Sequence, residues 1–447
     1  MSPTTIAAAA AALDAGTTSS RALVEQYLDR IDDGEGARVF LRVYGVEARA
    51  QADAIDALRR VGRAPGPLAG IPISLKDLLD VAGETTAAAS VVLAGTPPAT
   101  AHAAIVARLL AAGLVPVGRT NMTEFAYSGL GLNPHHGTPA NPFDRAHPRI
   151  PGGSSSGAAV SVTDGMALVG IGTDTGGSCR IPAALCGIVG YKPTQRRVPL
   201  AGALPLSPSL DSIGPLGPSV ACCAAIDAVL SGGPAPLPPP DGVAGRRFVV
   251  PSGAWRGALE PAVETAFAAA LARLRAAGAL VEERAIPQLA AVHEANARGT
   301  LVNAEAWVWH EALLARAGER YDPFVRSRIE RGSTMTAADL IDVLQARQRL
   351  IGEMAAVWAD CDAVVMPTCP LTAPPIAALL ADPALASQVN FAVLSAPSAI
   401  NFLDGCSISL PCHQPGTAPV GLMLSAGPVG DANLLRLAAA VEALLGR

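Results

Sequence analysis

The sequence predicts an α/β fold, a doubly wound sheet flanked by helices on both faces, and three observations carry that prediction. Amphipathic helical segments alternate with short apolar runs of strand length between about residues 20 and 117. Half of the 447 residues are hydrophobic and only 16% are charged, which allows a large core and does not fit an extensively disordered chain. After a Pro-rich stretch the pattern turns strongly helical, then closes on one more strand and helix.

In chain order, Ala7 to Ala12 read as a short helix, since no basic region precedes this alanine run and Asp14 soon ends it. Leu23, Val24, Tyr27, Leu28 and Ile31 share one helical face between Ser20 and Ile31, with Ser and Thr ahead as caps. A second amphipathic helix spans Glu47 to Arg60, and the loop Gly62 to Pro67 follows. Ile71, Ile73 and Leu75 then alternate as in a strand that carries Lys76 at its end. A helix from Ala103 to Ala112 is closed by Gly113 and leads into the strand Leu114 to Val117. Gly129 to Ile150 read as a long loop system. Ala158 to Gly165 is helical, Ala167 to Gly172 a strand, and Arg180 to Leu185 helical. Gly232 to Gly245 resembles a linker. The helices beyond it are predicted over Glu260 to Ala277, Leu289 to Ala317 and Ala337 to Trp358. The strand Ala363 to Met366 runs into a Pro-punctuated segment ending at Pro375, and the strand Val420 to Leu424 with the helix Ala432 to Leu445 finishes the chain.

Composition excludes several function classes. A net charge of −5 gives no electrostatic case for nucleic acid, and no stretch approaches the ~18 uninterrupted apolar residues of a membrane span. The eight cysteines form no C-x-x-C pair and read as free thiols of a reducing cytoplasm. The spacing of His102, His135, His136 and His147 matches no zinc pattern, so no metal is expected.

Of 33 basic residues only Lys76 and Lys192 are lysine. Arginine cannot release its proton in a protein, whereas a buried lysine can be neutral near pH 7. Lys192, in Gly190-Tyr191-Lys192-Pro193-Thr194, reads as part of a structural turn. Lys76 has a chemical reading available. Pro151-Gly152-Gly153-Ser154-Ser155-Ser156-Gly157-Ala158 sets several hydroxyls beside a helix N-terminus, though an ordinary cap and loop reads equally well. Gly172-Thr173-Asp174-Thr175-Gly176-Gly177-Ser178-Cys179-Arg180 can turn successive backbone N–H groups into one cavity, or can be a tight strand-to-helix turn capped by Ser178. One logic would join them, with Ser178 as nucleophile, Ser154 as relay hydroxyl and neutral Lys76 as proton acceptor.

These segments resemble the amidase signature family. So do Ile73-Ser74-Leu75-Lys76-Asp77, Gly118-Arg119-Thr120-Asn121-Met122-Thr123-Glu124-Phe125, Cys186 through Thr194, and the tail from Asn401-Phe402-Leu403 to Pro419-Val420-Gly421-Leu422. The resemblance covers nearly the whole chain and is densest from Gly70 to Pro215. It implies a large mixed β-sheet core with helices on both faces. It implies one domain over residues 1–447, with a signature core over about 65–220 and a substrate-shaping helical region over about 255–360 ahead of the final strands.

The resemblance further implies a Ser–cis-Ser–Lys triad of Ser178, Ser154 and Lys76, and oxyanion donors on the backbone of Thr175, Gly176, Gly177 and Ser178. It makes Ser155 and Arg180 structural supports and places Ser128 on the substrate pocket. The serine segment departs from the usual Gly-Gly-Ser-Ser-Gly-Gly at Ser156 and Ala158, neither a triad position. The implied activity is hydrolysis of a small-molecule amide without a cofactor, with esters, carbamates and anilides open to the same acyl-enzyme; a homo-oligomer is left open. Substrate choice is expected in the loop Ala126 to His136 and in Leu289 to Trp358, where Trp307, Trp309 and Tyr321 are candidates for an apolar entrance or for core.

Two other readings compete. Gly153-Ser154-Ser155-Ser156-Gly157 fits the G-x-S-x-G elbow of α/β-hydrolases with Ser155 as nucleophile, but Pro151 breaks the strand an elbow requires. His293, His310 or His413 would have to complete that triad, and none has a recognisable context. The family also includes the glutamine-hydrolysing subunit of a tRNA amidotransferase complex. Its acidic grip on an amino-acid ammonium aligns with Leu394, which favours a stand-alone hydrolase with an apolar pocket.

Overall fold

A computed structural model of the chain describes residues 5–234, 242–253 and 259–446. Among the described residues eleven strands join in one sheet: β1 (Phe40–Val43), β2 (Pro72–Lys76), β3 (Val115–Thr120), β4 (Val169–Thr173), β5 (Val189–Lys192), β6 (Ile213–Gly217), β7 (Arg247–Ser252), β8 (Leu280–Ala285), β9 (Ala363–Pro367), β10 (Cys406–Pro411) and β11 (Gly421–Ala426). Their order is β1-β3-β2-β4-β6-β5-β10-β11-β9-β7-β8. β2 runs parallel to β3 and β4, and β7 runs parallel to β8 and β9; the other pairings are antiparallel. The sheet is therefore the large mixed one of the amidase-signature fold. The alternation of strand and helix in the sequence announces only its parallel part.

Period-2 alternation on β2 shows how the site is placed. Ile73 and Leu75 point into a core shared with Ile105, Val106 and Leu109 of the helix Ala104–Ala111. Ser74 and Lys76 point to the opposite face, where Ser74 Oγ lies 2.8 Å from Ser161 Oγ of the helix Ser156–Thr163. All five residues of β2 are buried, as both faces of this stretch of sheet are covered. Leu75 pairs with Ile171 of β4, so Lys76 and Thr173 emerge together at the carboxyl ends of two parallel strands, the position at which open α/β sheets bind ligands.

The helix Ser156–Thr163 crosses β3 and β4 at close range. A Cβ on Gly157 would stand 2.6 Å from the carbonyl oxygens of Asn121 and Val39, and one on Gly170 would stand 2.6 Å from Ala158 O. Neither neighbour is a flexible side-chain end, so the backbone must move. Gly157→Ala is expected to destabilise the protein by about 1–3 kcal/mol in urea unfolding, the cost of an overpacked core. An unchanged midpoint would show that the helix is free to shift.

Several boundaries differ from the sequence reading. The strand expected to stop at Val117 continues to Thr120. The helix expected over Leu289 to Ala317 is two helices, Pro287–Ala295 and Leu301–Ala317, broken at Gly299, whose φ of +147° disfavours side chains. Lys192 is the last residue of β5 and not a turn residue; it is wholly buried, and its Nζ donates to Pro193 O at 2.6 Å. The Pro-rich linker of residues 232–245 falls in part, over 235–241, outside the described residues. The helices Val220–Ser231 and Pro383–Phe402, and strands β1, β5, β6, β7, β8 and β10, have no counterpart in the sequence reading. Among the described residues no helix is long and apolar enough to cross a membrane.

Candidate active site

Three chain segments meet at the end of β2. Lys76 Nζ donates to Ser154 Oγ and to Thr173 Oγ1, both at 2.8 Å. The Gly153–Ser154 peptide is cis. Ser155 N donates to Ser178 O at 3.3 Å, which ties the segment carrying Ser154 to the segment carrying Ser178. Ser178 faces a cavity of about 660 Å³ together with Thr175 and Gly176. Lys76 and Ser154 are wholly buried behind that wall. Among the described residues no side chain hydrogen-bonds Ser178 Oγ, which is thus open to the cavity.

Burial pushes the Lys76 ammonium down to about 7, against a smaller opposing pull from Asp174 and Asp211. Among the described residues no carboxylate lies within ion-pair distance of it. Thr173 Oγ1, unused in the sequence reading, is the second partner that fixes where the Lys76 nitrogen points.

The loop from Asp174 to Ser178 holds its shape through one carboxylate. Asp174 accepts from Gly177 N at 2.8 Å, Cys179 N at 3.1 Å, and Arg180 Nε and Nη2 at 3.0 and 2.9 Å. Asn401 Nδ2 adds a further bond at 2.9 Å. Burial alone would raise this carboxyl, but the charge and hydrogen bonds of Arg180 outweigh it and hold Asp174 well below the usual range. Arg180 also binds Pro397 O and Asn401 Oδ1. One member of the expected nest, the Gly177 N–H, is engaged by Asp174. The N–H groups of Thr175, Gly176 and Ser178 have no acceptor among the described residues. Thr175 is tied down through its hydroxyl, which donates to buried Asp211; burial raises that carboxyl to about 6.

The remaining sequence-derived residues fall as follows. Ser128 lies on the cavity wall and donates to Asn390 Oδ1 at 2.9 Å. Ser155 is wholly buried, its Oγ donating to Thr173 O at 3.2 Å, and no strand precedes it. That rules it out as the exposed serine of an elbow. Trp307, Trp309 and Tyr321 stand away from the cavity wall, and Trp309 and Tyr321 pack around Phe125 at ring distances of 6.0 and 5.1 Å. The wall does include residues from the loop at Ala126 to Ser128 and from 292–334, as expected. It also takes Asn390, Phe391, Leu394 and Ser398 from the helix Pro383–Phe402, of which only Leu394 is singled out by the sequence.

The model of the amidase family matches residues 22–435. The chain belongs to the amidase family. The 2-amino-5-chloromuconic acid deaminase of Comamonas testosteroni is 36% identical over 413 residues, covering 90% of this chain and 87% of that protein. A glutamyl-tRNA(Gln) amidotransferase subunit of Chloroflexus aggregans is 36% identical over 473 residues, covering 98% and 96%. A crystal structure of an amidase superposes with a TM-score of 0.89 at 34% identity, covering 98% of this chain and 99% of that one. The protein is accordingly a hydrolase of the amidase-signature type acting on the C–N bond of amides.

Proposed function

We propose that the enzyme hydrolyses carboxylic amides through an acyl-enzyme on Ser178, with Ser154 and Lys76 as the proton relay. The observation that carries this is the buried Lys76 amine, with no carboxylate in ion-pair range among the described residues, bonded to Ser154 Oγ behind the wall on which Ser178 opens. Ser178 Oγ bonds to the amide carbon as its proton passes to Ser154 and the Ser154 proton passes to Lys76 Nζ. The carbonyl oxygen becomes an oxyanion among the N–H groups of Thr175, Gly176 and Ser178. On collapse the C–N bond breaks, and the relay returns a proton to the departing nitrogen. Water then attacks the ester, gives its proton to the same relay, and leaves Ser178 protonated and the acid free. A relay that protonates an amine also protonates an alkoxide, so esters, carbamates and anilides are chemically accessible. All eight cysteines are free thiols, six of them buried, which suits a reducing cytoplasm.

The reading has two coupled tests. A fluorophosphonate should label Ser178, and labelling at Ser155 would refute it. Activity should follow the neutral form of Lys76. Because burial lowers this group to about 7, kcat/KM should fall tenfold per pH unit below that value and level off above it. A profile flat from pH 5 to 8 would remove Lys76 as the base.

A second reading, the glutamine-hydrolysing member of a larger complex, is favoured by the relationship to the amidotransferase of Chloroflexus aggregans. Against it stands Leu394, an apolar cavity residue where the resemblance places an acid. We favour the stand-alone hydrolase, with a small-molecule amide as its partner.

A further inference from the structure

The segment from Asp174 to Ser178 rests on two buried carboxylates, and they are satisfied differently. Asp174 is neutralised by Arg180. Asp211 has no basic side chain within ion-pair distance among the described residues. Burial raises it to about 6, with a smaller contribution from the charge of Glu305. Three donors hold it instead: the Thr175 hydroxyl on one oxygen, and the N–H groups of Leu206 and Ser207 on the other, both at 3.0 Å. A buried carboxylate without a counter-ion costs stability. Here that cost falls at the residue that fixes Thr175.

The strap from Pro205 to Asp211 has no helix or strand of its own. Its Leu206 and Leu210 face the cavity in front of Ser178. Leu210 N and Asp211 N both donate to Ser207 O at 2.8 Å, which closes the strap into a turn, and Ser212 beyond it exchanges backbone bonds with Asp174. A second carboxylate fastens the strap from outside. Glu305 accepts from the hydroxyls of Ser207 and Ser209, one on each oxygen, and from Ser209 N at 3.2 Å. It stands on the helix Leu301–Ala317, one turn after Val302, which lines the same cavity. Glu305, Ser207 and Ser209 themselves lie off the cavity wall. Two carboxylates therefore run in series from a helix of the wall, through the strap, to Thr175. Stabilising an oxyanion needs donors fixed before the charge develops, and small displacements of them are felt in the rate.

We propose that Glu305 is a positioning residue for the oxyanion donors on Thr175 and Gly176, acting through Ser207, Ser209 and Asp211. The helix that shapes the cavity and the loop that meets the transition state then form one unit. A loss at Glu305 reaches kcat although this residue touches no substrate. The assignment rests on the proposed active site around Ser178.

The test follows the rate at which a fluorophosphonate labels Ser178, since the phosphoryl oxygen takes the oxyanion position. It adds turnover of N-(4-nitrophenyl)butanamide and inhibition by 1,1,1-trifluoropentan-2-one, a ketone that becomes an oxyanion only when the serine adds to it. In Glu305→Ala the labelling rate and kcat should each fall about 10- to 100-fold with KM within about threefold, less than the ~10²–10³ lost when an oxyanion donor is deleted outright. Inhibition by the ketone should weaken by the same factor as kcat. Ser209→Ala removes one donor and leaves the carboxylate, so it should show a smaller loss in the same direction. Glu305→Gln keeps one acceptor oxygen and should retain more activity than Glu305→Ala. Because the carboxylates act in series, adding Glu305→Ala to Asp211→Asn should lower the rates little further than Asp211→Asn alone. All rates are read well below each unfolding midpoint, where a purely structural role lowers the midpoint and leaves the rates unchanged. An unchanged labelling rate in Glu305→Ala, a change confined to KM, or losses that multiply in the double variant would overturn the assignment. Should Glu305→Ala fail to fold, Ser209→Ala and Glu305→Gln decide by the same readings. Failure of the active-site reading has a different signature, since wild-type Ser178 would then not be labelled at all.

Discussion

Lys76→Arg should reduce kcat by about 10³-fold, to the level of Lys76→Met, although it keeps the positive charge and a hydrogen-bond donor. The proposed relay needs a nitrogen that can give up and regain a proton near neutral pH, and general-base catalysis of this kind contributes about 10²–10⁴ in rate. Burial places the lysine in that range, at about 7, whereas a guanidinium remains protonated under all working conditions. Lys76→Met separates chemistry from folding. It deletes a buried amine that has no counter-ion among the described residues, at the cost of leaving the hydroxyls of Ser154 and Thr173 one partner short. Its unfolding midpoint should therefore match or exceed that of the wild type at pH 7. The sign supports this: a lysine whose pKa is lowered on folding opposes folding wherever the unfolded chain would bind the proton, from about pH 10 down. Lys76→Arg with turnover within tenfold of the wild type would show that the lysine acts only as a fixed charge.

How much of this could be read from the sequence depended on whether a residue's partner was local. β2 was legible because Ile71, Ile73 and Leu75 alternate, and the helix Ser20–Asp33 because its apolar face repeats at helical spacing. β5 and β6 were not, since Val-Gly-Tyr-Lys and Ile-Gly-Pro-Leu-Gly lie buried on both faces and their glycines erase any period. The helix Pro383–Phe402 was obscured by Pro397, a residue that ordinarily breaks helices. Here the carbonyl of Pro397 is bound by Arg180, a contact across 217 positions that no local pattern records. The triad candidates came from long, ordered motifs, and the structure brings their segments together. The engagement of the Gly177 N–H was hidden in the same motif, because spacing shows how many N–H groups a loop offers and not which of them Asp174 has taken. Glu305 and Asn390 carried no signal, as each gains its meaning from the distant segments it binds.

Asp174→Ala should destabilise the enzyme by about 3–5 kcal/mol, the cost typical of breaking a buried ion pair on one side. Both side chains of the Asp174–Arg180 pair are fully inaccessible to solvent, and removing the carboxylate strands the guanidinium among uncharged acceptors, Pro397 O, Asn401 Oδ1 and Met423 Sδ. Two backbone N–H groups, of Gly177 and Cys179, lose their acceptor at the same time. An exposed pair provides the scale: Arg349, 58% exposed beside Glu353 at 42%, should cost less than about 1 kcal/mol when replaced by alanine. Because the Asp174 carboxyl is held below its ordinary range, its contribution is present above the unfolded carboxylate pKa and lost only in strong acid. The contrast between the two variants should therefore persist from pH 5 to pH 8. Activity at temperatures where Asp174→Ala remains folded should fall as well, since the released Gly177 N–H leaves the segment bearing Thr175, Gly176 and Ser178 without its central tie. Equal unfolding midpoints for Asp174→Ala and Arg349→Ala would mean that the loop is held by the sheet alone and that the ion pair is dispensable.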